Sequence, residues 1–265
     1  RLTQVLGTDA RVKVHLKEIE RALDGPARMK LYRDEAARLI ESGEQVLLPT
    51  LEPGHGFEKD RFYTYQQRLV PFNIKPGEQV LDIGSGGYPF PYATHLAAQY
   101  EGETTHRAEP LVKTGLPFQR CNVEKLPYAD KEFDFVYCSH VLEHVKDPAQ
   151  ACEELMRIGK RGYIETPTRM SDVMLNFIHL KDHHRWHINL LGDTLVFMEW
   201  ADKERRDTGI NDFFVMLQSK YKNSFQEFVH TQRDLFVNML LWQDSFHYYV
   251  LDQRGRLLDT NRKLG

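Results

Sequence analysis

E-Q-V-L-D-I-G-S-G-G-Y-P-F, residues 78–90, joins a short apolar run to a cluster of glycines. Val80, Leu81 and Ile83 have the continuous apolar character of a strand buried on both faces. Gly84, Ser85, Gly86 and Gly87 follow at once, and glycines there let the backbone turn sharply and let a ligand approach without a Cβ in the way. Asp82 interrupts the strand two residues before the first glycine. A carboxylate at that depth is costly unless something pairs with it, either loop N–H groups or the amino group of a bound ligand.

At 265 residues the chain is long enough for a full core, and a single domain with appendages is the economical reading. The net charge of −3 gives no electrostatic case for a nucleic-acid partner. Cys121, Cys138 and Cys152 form no C-x-x-C pair, which predicts a reducing, cytoplasmic setting and offers no zinc framework. No apolar run approaches the roughly 20 residues that span a bilayer.

Ahead of this stretch, Val12, Leu16, Ile19 and Leu23 recur at helical spacing, and a second helix follows Pro26 with Met29, Tyr32, Ala36, Leu39 and Ile40 on one face. Residues 1–70 are therefore expected to form a helical cap or an arm for self-association, with the main domain over 71–265. Beyond the glycines, Pro89 and Pro91 oppose an immediate regular helix. Residues 92–100 fit a short helix or a strand; 118–121 and 133–138 read as strands. A helix over 148–156 has Asp147 as its N-cap and Gly159 past its end. Gly162–Glu165 is a further buried strand. This alternation from 79 to 165 predicts parallel α/β winding. In the tail, Gly192-Asp193 predicts a hairpin between 186–191 and 194–197. Residues 224–240 read as one amphipathic helix with a Ser224/Glu227 capping box, and 246–251 as an aromatic strand.

Three motifs narrow the reading. V-L-D-I-G-S-G-G, N-V-E-K-L-P-Y-A-D-K-E-F-D-F-V and S-H-V-L-E-H-V-K-D-P occur in the order found in class I S-adenosylmethionine-dependent methyltransferases of the type 11 group, which residues 72–168 resemble. A nicotinamide-binding fingerprint is opposed by Pro89, where its third glycine would stand, and by Asp82. H-V-L-E-H-V, R-I-G-K-R-G-Y-I-E-T-P and H-R-W-H also resemble a bacterial subgroup associated with polysaccharide and cell-surface glycan genes. The resemblance implies a Rossmann-like sheet, mostly parallel with its last strand antiparallel. It also implies S-adenosylmethionine as cofactor, S-adenosylhomocysteine as product, and a sugar hydroxyl as acceptor. The alternatives are an N- or C-methyltransferase of a small metabolite and a non-catalytic cofactor-binding module.

By the same resemblance, Asp82 would hold the methionine amino group, and Gly84, Ser85, Gly86 and Gly87 would pass beneath the methionine and ribose. Asn122 and Val123 would read the adenine, and Ser139 would lie beside the sulfonium. The family's ribose-binding acid falls at Ala98 if the second strand comes early, the reading preferred here. It falls at Glu109 if that strand runs from Thr104 to Ala108. His140 is the expected general base, since imidazole titrates near neutrality. His144 and Glu165 are further catalytic candidates, and Glu143 an alternative base. Arg107 and Arg185 are candidates for neutralising an acidic substrate. His183, His184 and His187 beside Asp182 are expected to wall a substrate pocket rather than hold a metal. His183 and His187 would share a face only on a helix, which Trp186 and the hairpin oppose.

Overall fold

The structure is a computed structural model, and it describes residues 66, 69–104, 106–107, 110–175, 177–178, 183–205 and 224–263. The two helices expected over 9–23 and 26–40, with the self-association arm they would form, lie outside these residues. So do Glu109, Asp182 and the side chain of Glu227.

Among the described residues, ten strands fall into two sheets. The first has the order β3-β2-β1-β4-β5-β8, built from β1 (Val80–Ile83), β2 (His95–Ala98), β3 (Phe118–Arg120), β4 (Phe135–Ser139), β5 (Arg161–Pro167) and β8 (Val237–Gln243). Its first five strands are parallel, and β8 runs antiparallel to β5. This is the Rossmann-like sheet with one reversed strand that was expected. Its second strand is the early one, so Ala98 ends β2, while Thr104 makes only an isolated bridge to Arg107. The turn from β1 into β2 holds no helix, as Pro89 and Pro91 require.

Strand parity decides which side chain goes where. Leu81, Ile83, Val136, Cys138, Ile164 and Leu240 face a core shared with helix α1 (Pro148–Ile158). Val80, Phe135, Tyr137, Tyr163 and Met239 face the other way, against Val70, Phe72 and Phe90. Phe90 stacks on Tyr137 with centroids 4.1 Å apart, and Phe72 meets Tyr163 edge-on at 5.2 Å. Helix α1 starts where its cap chemistry places it: the Asp147 carboxylate accepts from the Gln150 N–H at 3.0 Å, and Pro148 occupies the first turn.

The second sheet has the order β10-β9-β7-β6, from β6 (Trp186–Leu191), β7 (Thr194–Glu199), β9 (His247–Leu251) and β10 (Leu257–Thr260). Strands β6 and β7 form the predicted hairpin. Trp186, Ile188, Leu195, Phe197, Tyr248 and Val250 bring this sheet into the α1 core. Asn238 joins the two sheets: its Nδ2 donates to Ile188 O at 2.9 Å and to Thr166 Oγ1 at 3.1 Å.

One expectation for the tail is corrected. The single helix over 224–240 is instead α3 (Ser224–Thr231), the single turn α4 (Arg233–Phe236), and then β8; the short α2 (Arg169–Met174) precedes the hairpin. The apolar residues of 237–240 satisfy either period, and the open edge of β5 selects the extended form. The strand closing the main sheet is thus β8, while 247–251 goes to the second sheet alongside β7.

Candidate active site

The C-terminal ends of β1, β2, β3 and β4 open on a cleft of about 440 Å³, the edge at which open α/β sheets bind ligands. Asp82, the four loop residues Gly84 to Gly87, Asn122, Val123, Ser139, His140 and His144 all line it. Residues from three separate segments of sequence thus meet in one place.

Asp82 is 1% exposed, and its one hydrogen bond among the described residues is from the Phe90 N–H to Oδ2 at 2.8 Å. Burial, only partly opposed by that N–H, lifts its pKa from 3.8 to about 7. A cationic amine in the cleft would supply the missing partner. Ser85 Oγ, likewise buried, has no hydrogen-bond partner among the described residues and adds a second group suited to a polar ligand.

The loop is held by strand β2: Gly84 N–H donates to Ala97 O at 2.7 Å, and Val112 N–H donates to Gly86 O at 2.9 Å. Gly84 has φ +79°, and a Cβ there would lie 2.3 Å from Val141 Cγ2. Only glycine fits both constraints. At the end of β2, Ala98 offers no carboxylate; Gln99 and Tyr100, the next residues, line the cleft. Asn122 is partly committed, since Oδ1 accepts from Glu124 N–H at 2.9 Å and Nδ2 donates to Glu124 Oε2 at 3.0 Å. Arg107 donates to Tyr100 O and Gly102 O at 3.0 and 2.8 Å, so these contacts brace the loop after β2.

Past β4, His140 sits in the left-handed region at φ +56°, a strained position for a non-glycine residue and one found at functional sites. Its Nε2 is 3.1 Å from Glu165 Oε1, and its Nδ1 is 3.5 Å from Glu143 Oε1. Burial opposes the imidazolium, but the two carboxylates outweigh it and raise its pKa to about 10. At neutral pH His140 is therefore a cation, with no lone pair for a proton. The base role expected of it conflicts with that charge state.

Glu165 is equally committed. Tyr163 Oη donates to its Oε2 at 2.5 Å and Gln66 Nε2 donates to the same oxygen at 2.9 Å; Tyr137 Oη donates to Gln66 Oε1 at 3.0 Å. Burial works to raise the pKa of Glu165, and its hydrogen bonds and the imidazolium bring it down to about 2. It acts as an anchor. Nothing in the sequence singled out Gln66, Tyr137 or Tyr163 for this network.

The histidines gather more tightly than the sequence suggests. His106, His183 and His184 stack, with centroids 5.6 and 4.7 Å apart, and His144 stands edge-on to all three. Burial lowers the pKa of His144 to about 4 and that of His183 to about 3, so both are neutral imidazoles. His187 is not in this group: it lies in β6, buried against Trp200 at 4.7 Å. His106 and Asp172 had no sequence signal beyond residue type.

Residues 81–164 match a protein family described as a methyltransferase domain. The ubiquinone/menaquinone biosynthesis C-methyltransferases UbiE of Burkholderia mallei and Burkholderia thailandensis are each 31% identical to the chain over 106 residues. That alignment covers 36% of this chain and 44% of theirs, so the chain spans under half the length of these curated relatives. Among solved structures, a SAM-dependent methyltransferase from Archaeoglobus fulgidus is similar at 22% identity and a TM-score of 0.36, covering 48% of this chain and 60% of that one. An S-adenosylmethionine-dependent methyltransferase from Mesorhizobium loti is similar at 17% and 0.33, covering 54% and 65%.

Proposed function

We propose that this chain is an S-adenosylmethionine-dependent methyltransferase acting on a small acceptor. The observation that carries the reading is Asp82, a buried carboxylate with a pKa of about 7, set in the same cleft as an intact glycine loop and the tips of β2, β3 and β4. The match of residues 81–164 to a methyltransferase domain supports it independently. S-adenosylmethionine supplies a methyl carbon already activated by a positively charged sulfur. The residues have four tasks. Asp82 holds an ammonium, and Ser85 offers its hydroxyl to a polar group. Asn122 and Val123 line the cleft for the adenine, and Ser139 and His140 line it for the sulfonium. Glu143, His140 and Glu165 together carry one net negative charge beside that part of the cleft, which favours a cation there. Alignment supplies most of the acceleration in such a site.

For the acceptor we infer a hydroxyl-bearing small molecule, with a sugar as the class suggested by the sequence resemblance. Methylation at carbon is a second reading. It is favoured by the named activity of the UbiE relatives and by His140 and Glu165 being engaged rather than free to take a proton. Three cysteines outside any disulfide suit a cytoplasmic enzyme.

Calorimetry with S-adenosylhomocysteine, followed by methyl transfer from labelled S-adenosylmethionine to a panel of sugars, nucleotide sugars, phenols and quinols, tests both levels. Failure of the wild-type chain to bind the product at millimolar concentration would overturn the cofactor reading. Binding without turnover on any acceptor would favour a non-catalytic module.

A further inference from the structure

Behind the cleft wall, Glu143, His144 and His184 bring one ligating atom each to within 4.8 Å of one another. We propose that these three residues bind a divalent transition-metal ion, with zinc the best match to two imidazoles and one carboxylate.

Glu143 is the primary observation. It is fully buried, and neither carboxylate oxygen has a hydrogen bond among the described residues. An imidazolium, His140 Nδ1, stands 3.5 Å from Oε1, which offsets charge without supplying a short hydrogen bond. Its oxygen lone pairs are therefore open to a cation that can coordinate them directly.

Both imidazoles are also fixed with one nitrogen available. His144 Nδ1 donates to the backbone carbonyl of His183, which leaves Nε2, 3.8 Å from Glu143 Oε1, with its lone pair. His184 Nδ1 pairs with Asp172 Oδ1 at 2.6 Å, in a contact 5% exposed on the histidine side and fully buried on the aspartate side. A carboxylate or carbonyl behind a histidine sets its tautomer and aims the other nitrogen, the arrangement behind most ligating histidines. Metal–ligand bonds of about 2.0–2.2 Å place neighbouring donor atoms roughly 3.3 Å apart. Closing from the present spacing needs a side-chain shift of about 1 Å or less at each residue, well within rotamer adjustment.

His144 lines the cleft, so the ion would sit against its wall. There it could take an acceptor oxygen as a further ligand, a role that rests on the methyl-transfer reading, whereas metal binding itself does not. His106 and His183 flank the site, and among the described residues His144 is shared with the alternative trio His106, His144, His183.

The test uses the tag-free full chain, stripped with chelator and titrated with zinc alone, with bound metal counted after gel filtration. The expected result is one zinc per chain, with Glu143→Gln and His184→Ala each retaining under about a tenth of it. Asp172→Asn, which keeps all three ligands, should weaken binding by about 10- to 100-fold. His247→Ala, in the second sheet, should leave it unchanged. Circular dichroism checks that the variants fold. If His184→Ala does not fold, Asp172→Asn and a zinc-induced rise in melting temperature that Glu143→Gln lacks decide the matter. Less than half an equivalent bound by the wild type, or wild-type affinity in folded Glu143→Gln, overturns the site. Calorimetry with S-adenosylhomocysteine on the same stripped chain reports separately on the cofactor reading.

Discussion

His140 Nε2 lies 3.1 Å from Glu165 Oε1, while Glu165 Oε2 accepts from both Tyr163 and Gln66. One buried carboxylate thus fixes the imidazolium at the tip of β4 and ties it to residue 66. Glu165→Gln should lower unfolding free energy by about 1–3 kcal/mol, because it removes the negative partner of a half-buried, partly solvent-screened imidazolium. Urea unfolding measures the loss. A change below about 0.5 kcal/mol would mean the pair contributes nothing net.

The second prediction concerns Asp82 and pH. Its folded pKa of about 7 lies above the ordinary 3.8. The stability associated with its protonated form is fully present below pH 3.8 and is lost as pH rises through 7. Binding of an ammonium-bearing ligand runs the opposite way, since it needs the carboxylate. Affinity for S-adenosylhomocysteine should fall about tenfold per pH unit below 7. Asp82→Asn should weaken binding by roughly 10- to 150-fold at neutral pH, the range for a charge-assisted hydrogen bond, and flatten that slope. A slope in the variant equal to that of the wild type would assign the titration to another group.

Gly84→Ala should cost about 2–3 kcal/mol, through a Cβ 2.3 Å from Val141 Cγ2 and an unfavourable φ of +79°. Adding Val141→Ala should recover the steric part and leave the backbone part, so the double variant should fall between the two. Equal stability of single and double variants in urea would show that the contact is irrelevant.

Asn238→Ala removes donors from Ile188 O, Thr166 Oγ1 and Pro167 O at once. A loss of about 1–3 kcal/mol is expected. Hydrogen exchange should rise at β6 as well as at β8, since the side chain connects them. Exchange changing at β8 alone would show that the two sheets do not depend on this link.

The main sheet was legible because its signals are local. Asp82 inside V-L-D-I, the proline-interrupted passage into β2, Asp147 capping α1 and Gly192-Asp193 at the hairpin each fix geometry over a few residues. Strand β8 was not legible. V-N-M-L-L-W-Q continues the apolar content of the helix before it, and only pairing with β5 distinguishes the two. The site divides in the same way. The cleft-lining residues proposed for the cofactor lie next to strand ends, where a local motif can point to them, whereas the Gln66–Glu165 hydrogen bond joins residues 99 positions apart. The charge state of His140 was also out of reach: a histidine's usual titration suggests a base, and the two carboxylates that reverse that reading meet it only in the folded chain.

The passage from β1 to β2 has a consequence for the order of assembly. Residues 84–94 form no helix that could hold its own shape, and the glycine loop hangs from Ala97 O through the N–H of Gly84. Its ligand-facing form therefore cannot precede the docking of β2 beside β1. Cofactor affinity in this chain should then be a late-appearing property during refolding, and a sensitive reporter of whether those two strands have paired.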